Sequence, residues 1–248
     1  MSDAWIWPIG LGLLGAIVGS FVAALVIRWP QGRSVMRGRS ACDGCGRTLG
    51  ARELVPIVSA MALRGRCSTC GSRIDPRHWQ IEVTAALIGA AAGLAAPTPV
   101  AVGGAAFGWL LLALAALDVA ALWLPDRLTA PLLIAGLAFG LPPTAFDRAI
   151  GAVAGFALLA VVAIGYKRMR GRDGLGWGDP KLLAGIGAWL GWRMIPAVLL
   201  IASLAGLALV VLAMARGRVV ARATPVPLGA LLAIAAYPAW LAMIASAP

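Results

Sequence analysis

Residues 101–120 read AVGGAAFGWLLLALAALDVA, an apolar run interrupted by a single carboxylate, Asp118. A helix needs ~20 mostly apolar residues to cross the hydrocarbon core of a bilayer. Other apolar runs lie on both sides of this one, and together the runs cover residues 5–27, 81–96, 99–123, 128–146, 149–166, 182–197, 198–215 and 225–246. The sequence therefore predicts an all-α polytopic membrane protein with about eight transmembrane helices.

The composition supports this class. Hydrophobic residues make up 61% of the 248 residues and charged residues only 12%, whereas an average soluble domain is ~25% charged. One boundary stays open in the sequence. Around Arg193 and Pro196, two short helices or one long kinked helix would both fit.

The basic residues predict the orientation, because short loops rich in Lys and Arg favour the cytoplasmic side. Ten of the 21 Lys and Arg lie in residues 28–80. We therefore expect a first transmembrane helix at 1–27 with its N-terminus outside, a cytoplasmic loop domain at 28–80, and a transmembrane core at 81–248. The net charge of +11 follows from this topology and from attraction to anionic membrane lipid, so no nucleic-acid partner is predicted.

All four cysteines lie in this loop. They form two pairs, Cys42-x2-Cys45 and Cys67-x2-Cys70, separated by 21 residues, and each pair is followed by glycine. Four thiolates at this spacing match a structural, tetrahedral Zn²⁺ site. Two disulfides are the alternative, but disulfides are rare in the reducing compartment that the charge pattern indicates. The loop is therefore predicted to be a zinc-binding domain.

Four of the ten acidic residues stand at the edges of apolar runs: Glu82, Asp118, Asp126 and Asp179. Ionisable residues in such places are costly and usually functional. Asp126 is expected to cap the helix that follows it, and Asp179 could do the same. No cap explains Asp118, for which an intramembrane pairing with Lys181 or an arginine is the alternative to a functional role.

Alternating spans place Asp118 and Asp179 at similar depth near the cytoplasmic face. Two carboxylates that close share one proton, so one can act as base toward water and the other as acid toward a carbonyl, which is aspartyl protease chemistry. Glycines at 174, 176 and 178 would let a peptide backbone approach. A proton-coupled transporter also uses paired intramembrane carboxylates, and a zinc-stabilised assembly subunit would use neither aspartate.

Five blocks in this order resemble the bifunctional prepilin peptidases, the type IV leader peptidases of the GxGD membrane aspartyl protease group. The blocks are GSFVAALVIRWP at 19–30, the two cysteine pairs, LRGRCSTCGSRI at 63–74, LDVAALWLPDRLT at 117–129 and GLGWGDPKLLAGIGAWLG at 174–191. The resemblance implies that Asp118, the first aspartate of D-x6-PD, and Asp179 of GxGD are the catalytic pair. Gly176, Gly178 and Lys181 are then expected to shape the site.

The resemblance implies cleavage, at the cytoplasmic face of the bacterial inner membrane, of the basic leader of type IV prepilins or type II secretion pseudopilins after a glycine. Many family members also methylate the new N-terminus with S-adenosylmethionine. Glu82 matches a family glutamate and is expected to bind the ammonium of that N-terminus. Ala23, Glu53 and Leu54 depart from the family pattern, in regions associated with the methylation.

Overall fold

A computed structural model describes residues 5–36, 39–140, 143–217 and 225–246. In these residues the regular structure is helical, apart from two isolated bridges between single residues in the cysteine loop. The helices are α1 (Ile6–Arg28), α2 (Val58–Ala62), α3 (Arg77–Ala95), α4 (Val100–Ala121), α5 (Asp126–Phe139), α6 (Ala145–Arg170), α7 (Gly178–Leu190), α8 (Ile195–Ala215) and α9 (Leu228–Ala245). The all-α class is confirmed. Residues 1–112 and 113–248 form two compact units.

Five of the described helices are long and apolar enough to cross a membrane: α1, α4, α6, α8 and α9. The expected total of about eight spans is not confirmed. Helices α5 and α7 have only 14 and 13 residues, and at ~1.5 Å per residue they extend about 20 Å. The hydrocarbon core is ~30 Å thick. The chain is thus a membrane protein in which some apolar helices are too short to span.

In the first unit, α1 and α3 pack at backbone distance. A Cβ built on Gly15 of α1 would lie 2.3 Å from the carbonyl oxygen of Ala85, and one built on Gly89 of α3 would lie 2.1 Å from that of Leu11. Each of these glycines is followed four residues later by another. Small residues in this pattern let membrane helices approach closely. Glycines of both helices therefore allow the close contact between α1 and α3.

In the second unit, α7 is the buried centre. It contacts α5, α6 and α9, and every residue from Asp179 to Leu190 except Lys181 is buried. Gly151 of α6 and Gly187 of α7 face each other, because a Cβ on either would lie 2.2 Å from the carbonyl oxygen of the other. A helix that is apolar on all sides is stable where protein surrounds it. The apolar character of α7 therefore reflects burial in protein.

The boundary left open around Arg193 and Pro196 is a break between two helices. Helix α7 ends at Leu190, and Gly191 then adopts φ +73°. A short 3-10 turn at Trp192–Met194 leads into α8, which carries Pro196 in its first turn. Glycine tolerates this positive φ and proline suits a helix start. Two helices, rather than one kinked helix, occupy this part of the chain.

We expect Gly151→Ala to lower the melting temperature of the detergent-solubilised protein, because its methyl group would press on the backbone of α7. Overpacking of this kind costs ~1–3 kcal/mol. The matched control is Gly165→Ala on the same helix, where no atom lies within 4 Å of the added carbon. The control should be neutral or stabilising, since Ala favours helices over Gly. The melting temperature is read from the loss of the monodisperse size-exclusion peak after heating. An equal decrease in both variants would contradict the close α6–α7 contact.

Candidate active site and metal site

Asp118 lies near the end of α4 and is 5% exposed. The backbone N–H of Ala230 donates to its Oδ2 at 2.9 Å. Ala230 belongs to the first turn of α9, where N–H groups have no partner inside their own helix. The Asp118 carboxylate thus provides a hydrogen-bond acceptor for the first turn of a helix that lies 112 positions away in sequence.

The start of α9 is the part of the site that was not predicted from the sequence. The pattern around Asp118 indicates no capping role, because this residue ends an apolar run. The available signal was the pair Pro227 and Gly229 at the start of an apolar run, which is typical of a helix start. Nothing in that signal identifies the carboxylate that the helix start binds.

Asp179 is the second residue of α7 and is 8% exposed. The backbone N–H of Asp179 donates to the carbonyl of Gly176 at 3.3 Å. The residue before α7 is Trp177, and no side chain caps the helix. The alternative that Asp179 is an N-cap is therefore wrong. A carboxylate in the first turn is still favoured by the partial positive charge of the helix start.

Asp118 and Asp179 line the same cavity, which has a volume of about 710 Å³. The rest of the wall comes from the end of α4 and the turn after it, the loop before α7 and the segment before α9: Leu122, Trp123, Leu124, Tyr166, residues 172–178, Pro225, Val226 and Leu228. Ligand pockets typically enclose ~300–1,000 Å³. The structure therefore brings the two aspartates together on a cavity large enough for a peptide segment.

The three glycines before Asp179 have different surroundings. A Cβ on Gly174 would lie 2.3 Å from the ring of Tyr166, and one on Gly178 would lie 2.6 Å from Leu124 Cβ. At Gly176 the nearest atom would be Asp179 Oδ2, at 3.7 Å. Gly174 and Gly178 are therefore required by packing, whereas Gly176 leaves free space beside the carboxylate.

The loop that carries these glycines is tied back to the end of α6. Lys167 forms an ion pair with Asp173 at 2.9 Å, and Arg172 donates to the hydroxyl of Tyr166 at 3.4 Å. Gly171 ends α6 with φ +67°, a conformation that glycine adopts without strain. These contacts define the course of the chain from α6 into the cavity wall.

Lys181 does not pair with either buried aspartate in the described residues. Its Nζ lies 2.6 Å from Oδ1 of Asp126, in an exposed ion pair. Asp126 is the first residue of α5 and its side chain does not cap that helix, so the predicted cap at Asp126 is wrong. Asp118 likewise lacks the alternative pairing with Lys181. Exposed pairs of this kind contribute only ~0–1 kcal/mol.

The four cysteines converge in the first unit. Their sulfur atoms all lie within 4.8 Å of one another, all four are free thiols, and Cys42 and Cys70 are 3.8 Å apart. A tetrahedral Zn²⁺ with Zn–S bonds of ~2.3 Å has S···S edges of about 3.8 Å. The donor set and its spacing therefore fit a metal ion, and the disulfide alternative is not formed.

The two cysteine pairs have the same local structure. In each, the N–H of the first cysteine donates to the carbonyl five residues later, at 2.9 Å, and the N–H of the glycine after the second cysteine donates back to the first. Both glycines, Gly46 and Gly71, have φ close to +70°. The positive φ of each glycine permits the tight turn that directs both thiolates of a pair to one point.

Glu53 connects the two cysteine turns. Its carboxylate accepts from Ser68 Oγ at 2.6 Å, from the Gly50 amide at 2.8 Å, and from Arg47. The Ser68 hydrogen bond, followed by those of Gly50 and Arg47, lowers the pKa of Glu53 to about 2. The stabilisation from this ionised carboxylate is present above its ordinary pKa of 4.5 and is lost as the pH falls toward 2. A residue that departs from the family pattern thus links the loop.

Glu82 is buried in α3 and holds the loop from the other side. Its Oε2 accepts a hydrogen bond from the amide of Ile57 at 2.8 Å. Ile57 has φ +63°, which is unfavourable for a β-branched residue. Arg77, at the start of the same helix, pairs with Asp75. Of the other departures from the family pattern, Ala23 is fully buried and Leu54 is exposed.

These features define a membrane-spanning, all-helical protein that carries a paired-carboxylate cavity and a four-cysteine, metal-competent loop. The profile described as the type IV leader peptidase family matches residues 105–211, and that of the bacterial peptidase A24 N-terminal domain matches residues 13–95. The chain belongs to the type IV leader peptidase family. No solved structure matches it.

Three relatives are each named prepilin leader peptidase/N-methyltransferase. The one from Burkholderia pseudomallei is 41% identical over 252 residues, covering 89% of this chain and 81% of the relative. The relative from Aeromonas hydrophila is 38% identical, with 85% and 73% covered. The relative from Pseudomonas aeruginosa is 36% identical, with 94% and 88% covered. The resemblance inferred from the five motif blocks is thus confirmed.

The glycine assignments predict different effects of adding a methyl group. Gly174→Ala and Gly178→Ala should lower the melting temperature, because the new Cβ meets the Tyr166 ring or the Leu124 side chain. Gly176→Ala should leave it within about 2 °C of wild type, since only open space is filled. Thermal unfolding monitored by near-ultraviolet circular dichroism would measure this. A large loss at Gly176 alone would contradict the assignment.

Glu53→Gln should speed the loss of bound metal to a chelator. The neutral side chain no longer forms an ion pair with Arg47, and it has only one oxygen to accept the hydrogen bonds of the Gly50 amide and the Ser68 hydroxyl. The control is Asp43→Asn, which removes an exposed carboxylate of the same loop that, among the described residues, forms its ion pair with Arg33. We expect a several-fold faster release for Glu53→Gln and little change for the control. Metal content by mass spectrometry after timed chelation gives the rates, and equal rates would refute the linking role.

Proposed function

We propose that the protein is a membrane aspartyl endopeptidase that removes the basic leader of type IV prepilins or type II secretion pseudopilins after a glycine. The observation that carries this proposal is the pair of buried aspartates, Asp118 and Asp179, on one cavity, in a chain of the type IV leader peptidase family. The relatives named prepilin leader peptidase support the same reaction.

The reaction needs only the two carboxylates and a water molecule. The ionised carboxylate accepts a proton from the water, whose oxygen attacks the carbonyl carbon of the scissile glycine. The protonated carboxyl group donates its proton to the carbonyl oxygen. When the tetrahedral intermediate collapses, the C–N bond breaks and the leaving nitrogen takes up a proton. The products are a leader ending in a carboxylate and a mature chain with a free amine.

The cavity wall suits a glycine at the cleavage point. Gly176 leaves space next to Asp179, so a substrate backbone can approach the carboxylate without meeting a side chain. The hydrophobic helix of the substrate would stay in the bilayer while its leader reaches the cavity. We place the site at the cytoplasmic face of the bacterial inner membrane, with the N-terminus outside and residues 28–80 cytoplasmic, on the distribution of Lys and Arg.

We also propose that Cys42, Cys45, Cys67 and Cys70 bind a structural Zn²⁺, on the spacing of their sulfur atoms. The N-methyltransferase in the names of the relatives supports methylation of the new N-terminus with S-adenosylmethionine. Glu82 is our candidate for binding its ammonium group, since among the described residues no ion pair involves this buried carboxylate.

A proton-coupled transporter remains the alternative use of paired intramembrane carboxylates, and no comparison supports it. The relatives that match over most of this chain are named as peptidases. The third alternative, a zinc-stabilised assembly subunit, leaves the burial of both aspartates on one cavity unexplained.

The test is a mass-spectrometric cleavage assay in detergent with a prepilin-like peptide and S-adenosylmethionine. Asp118→Asn and Asp179→Asn should each reduce cleavage by ~10³-fold or more, because each removes one member of a unit that transfers protons together. The matched control is Asp126→Asn, which breaks only the exposed pair with Lys181 and should stay within about fivefold of wild type. A further ~14 Da on the mature product would show methylation.

If Asp118→Asn and Asp179→Asn both cleave the peptide at a rate like that of Asp126→Asn, the proposed aspartyl mechanism is ruled out. Membrane insertion and a monodisperse elution peak must be the same for all variants, so that a loss of activity can be assigned to the removed carboxylate.

A further inference from the structure

The two aspartates of the cavity are bound differently by the main chain. Asp118 accepts a hydrogen bond at 2.9 Å from the amide of Ala230, in the first turn of α9. Among the described residues, no comparable hydrogen bond from a main-chain amide reaches the Asp179 carboxylate. The chemistry proposed above needs one ionised and one protonated carboxyl group. The difference in hydrogen bonding therefore indicates which of the two aspartates is ionised.

The amide of Ala230 is available to Asp118 because α9 does not use it. The first hydrogen bond within α9 runs from Leu231 N to the carbonyl of Pro227, at 3.3 Å. The N–H groups before it point out of the helix start, where the aligned peptide dipoles give a partial positive charge. An anion is the favoured partner at such a position.

The close approach depends on a glycine. A Cβ built on Gly229 would lie 3.0 Å from Asp118 Oδ2 and 2.8 Å from Leu124 Cδ1. A side chain at this position would therefore push on the carboxylate and on the cavity wall at once. Glycine lets the helix start reach Asp118, and this packing requirement is separate from the role of the GxGD glycines.

A carboxylate oxygen that accepts N–H donors is stabilised in its ionised form, and the effect grows with the number of donors. The other charged groups around the cavity do not reverse this preference. Lys181 of α7 is paired with Asp126, and Asp173 on the wall is paired with Lys167. Arg172, also on the wall, donates to Tyr166. Within the part of the chain that the structure describes, Asp179 is the remaining acidic group that faces Asp118.

We propose that the first turn of α9 is a positioning element of the active site, in which the Ala230 amide holds Asp118 as the ionised carboxylate that takes the proton from water. Asp179 is then the protonated partner that donates to the substrate carbonyl. This inference rests on the proposed endopeptidase function and assigns the two roles that the function leaves open.

Ala230→Pro tests the proposal, because proline lacks the amide hydrogen that binds Asp118. Proline is tolerated in the first turn of a helix, where no intrahelical bond is lost, and the preceding Gly229 accepts the restriction that proline imposes. We expect kcat to fall by ~10- to 100-fold, the size of a lost hydrogen bond to a charged group. KM should change less than about twofold, since substrate binding is not altered.

The pH profile separates this role from a structural one. Without the Ala230 amide, the acid limb of the profile of kcat should move to higher pH, and activity should recover toward the wild-type value as the pH rises. The conservative variant Ala230→Ser keeps the amide hydrogen and should keep the acid limb at its wild-type position. A loss that is the same at every pH, a change in KM alone, or no change would each overturn the proposal.

If Ala230→Pro does not yield a monodisperse protein, Gly229→Ala combined with Leu124→Ala replaces it. Removal of the Leu124 side chain relieves one contact, so that the new Cβ presses on the Asp118 carboxylate, and Leu124→Ala alone is the reference. The acid limb should again move to higher pH, and an unchanged limb would overturn the proposal. Failure of the wild type to cleave would instead count against the endopeptidase function itself.

Discussion

The contact between α6 and α7 is the constraint on which the second unit depends. Gly151 and Gly187 bring the two backbones so close that neither can carry a side chain. Because α7 is enclosed by α5, α6 and α9, its position is set by packing on all sides. Asp179 stands at the start of this enclosed helix, so the tight packing behind it determines where the carboxylate meets the cavity. Interiors packed to this density resist small displacements, which is what the proposed proton transfer between carboxyl groups and water requires.

The position of Asp118 is determined by a different interaction. Asp118 lies in α4, and its carboxylate accepts a hydrogen bond from the Ala230 amide at the start of α9. This hydrogen bond gives a partner both to a free amide of the helix start and to a buried carboxylate. Carboxylates also accept hydrogen bonds from the main chain in the first unit. Glu82 binds the amide of the strained residue Ile57, and Glu53 joins the two cysteine turns. Asp118 and Glu82, both buried, are each held by a backbone amide, whereas Glu53 is held by an amide, a hydroxyl group and a guanidinium group.

Much of the architecture was predictable because its signals are local. The apolar runs define helices, the two Cys-x2-Cys pairs with their glycines define a metal-competent loop, and the motif blocks identify Asp118 and Asp179. The number of spans was not predictable in this way. Helix α7 is as apolar as a membrane helix, but protein surrounds it, whereas α8 is largely exposed on the outside of the protein. Composition alone does not distinguish burial in protein from burial in lipid, since both environments favour apolar side chains.

The sequence by itself thus determined the membrane class, the four-cysteine cluster and the two aspartates that share the cavity. Tertiary structure decided the partners of the charged groups. It paired Lys181 with Asp126, joined Asp118 to α9, and assigned packing roles to Gly174 and Gly178 while leaving Gly176 open. The physical reason is distance along the chain. Capping and turn preferences act over a few residues, whereas these contacts join segments that approach each other only after the helices have packed.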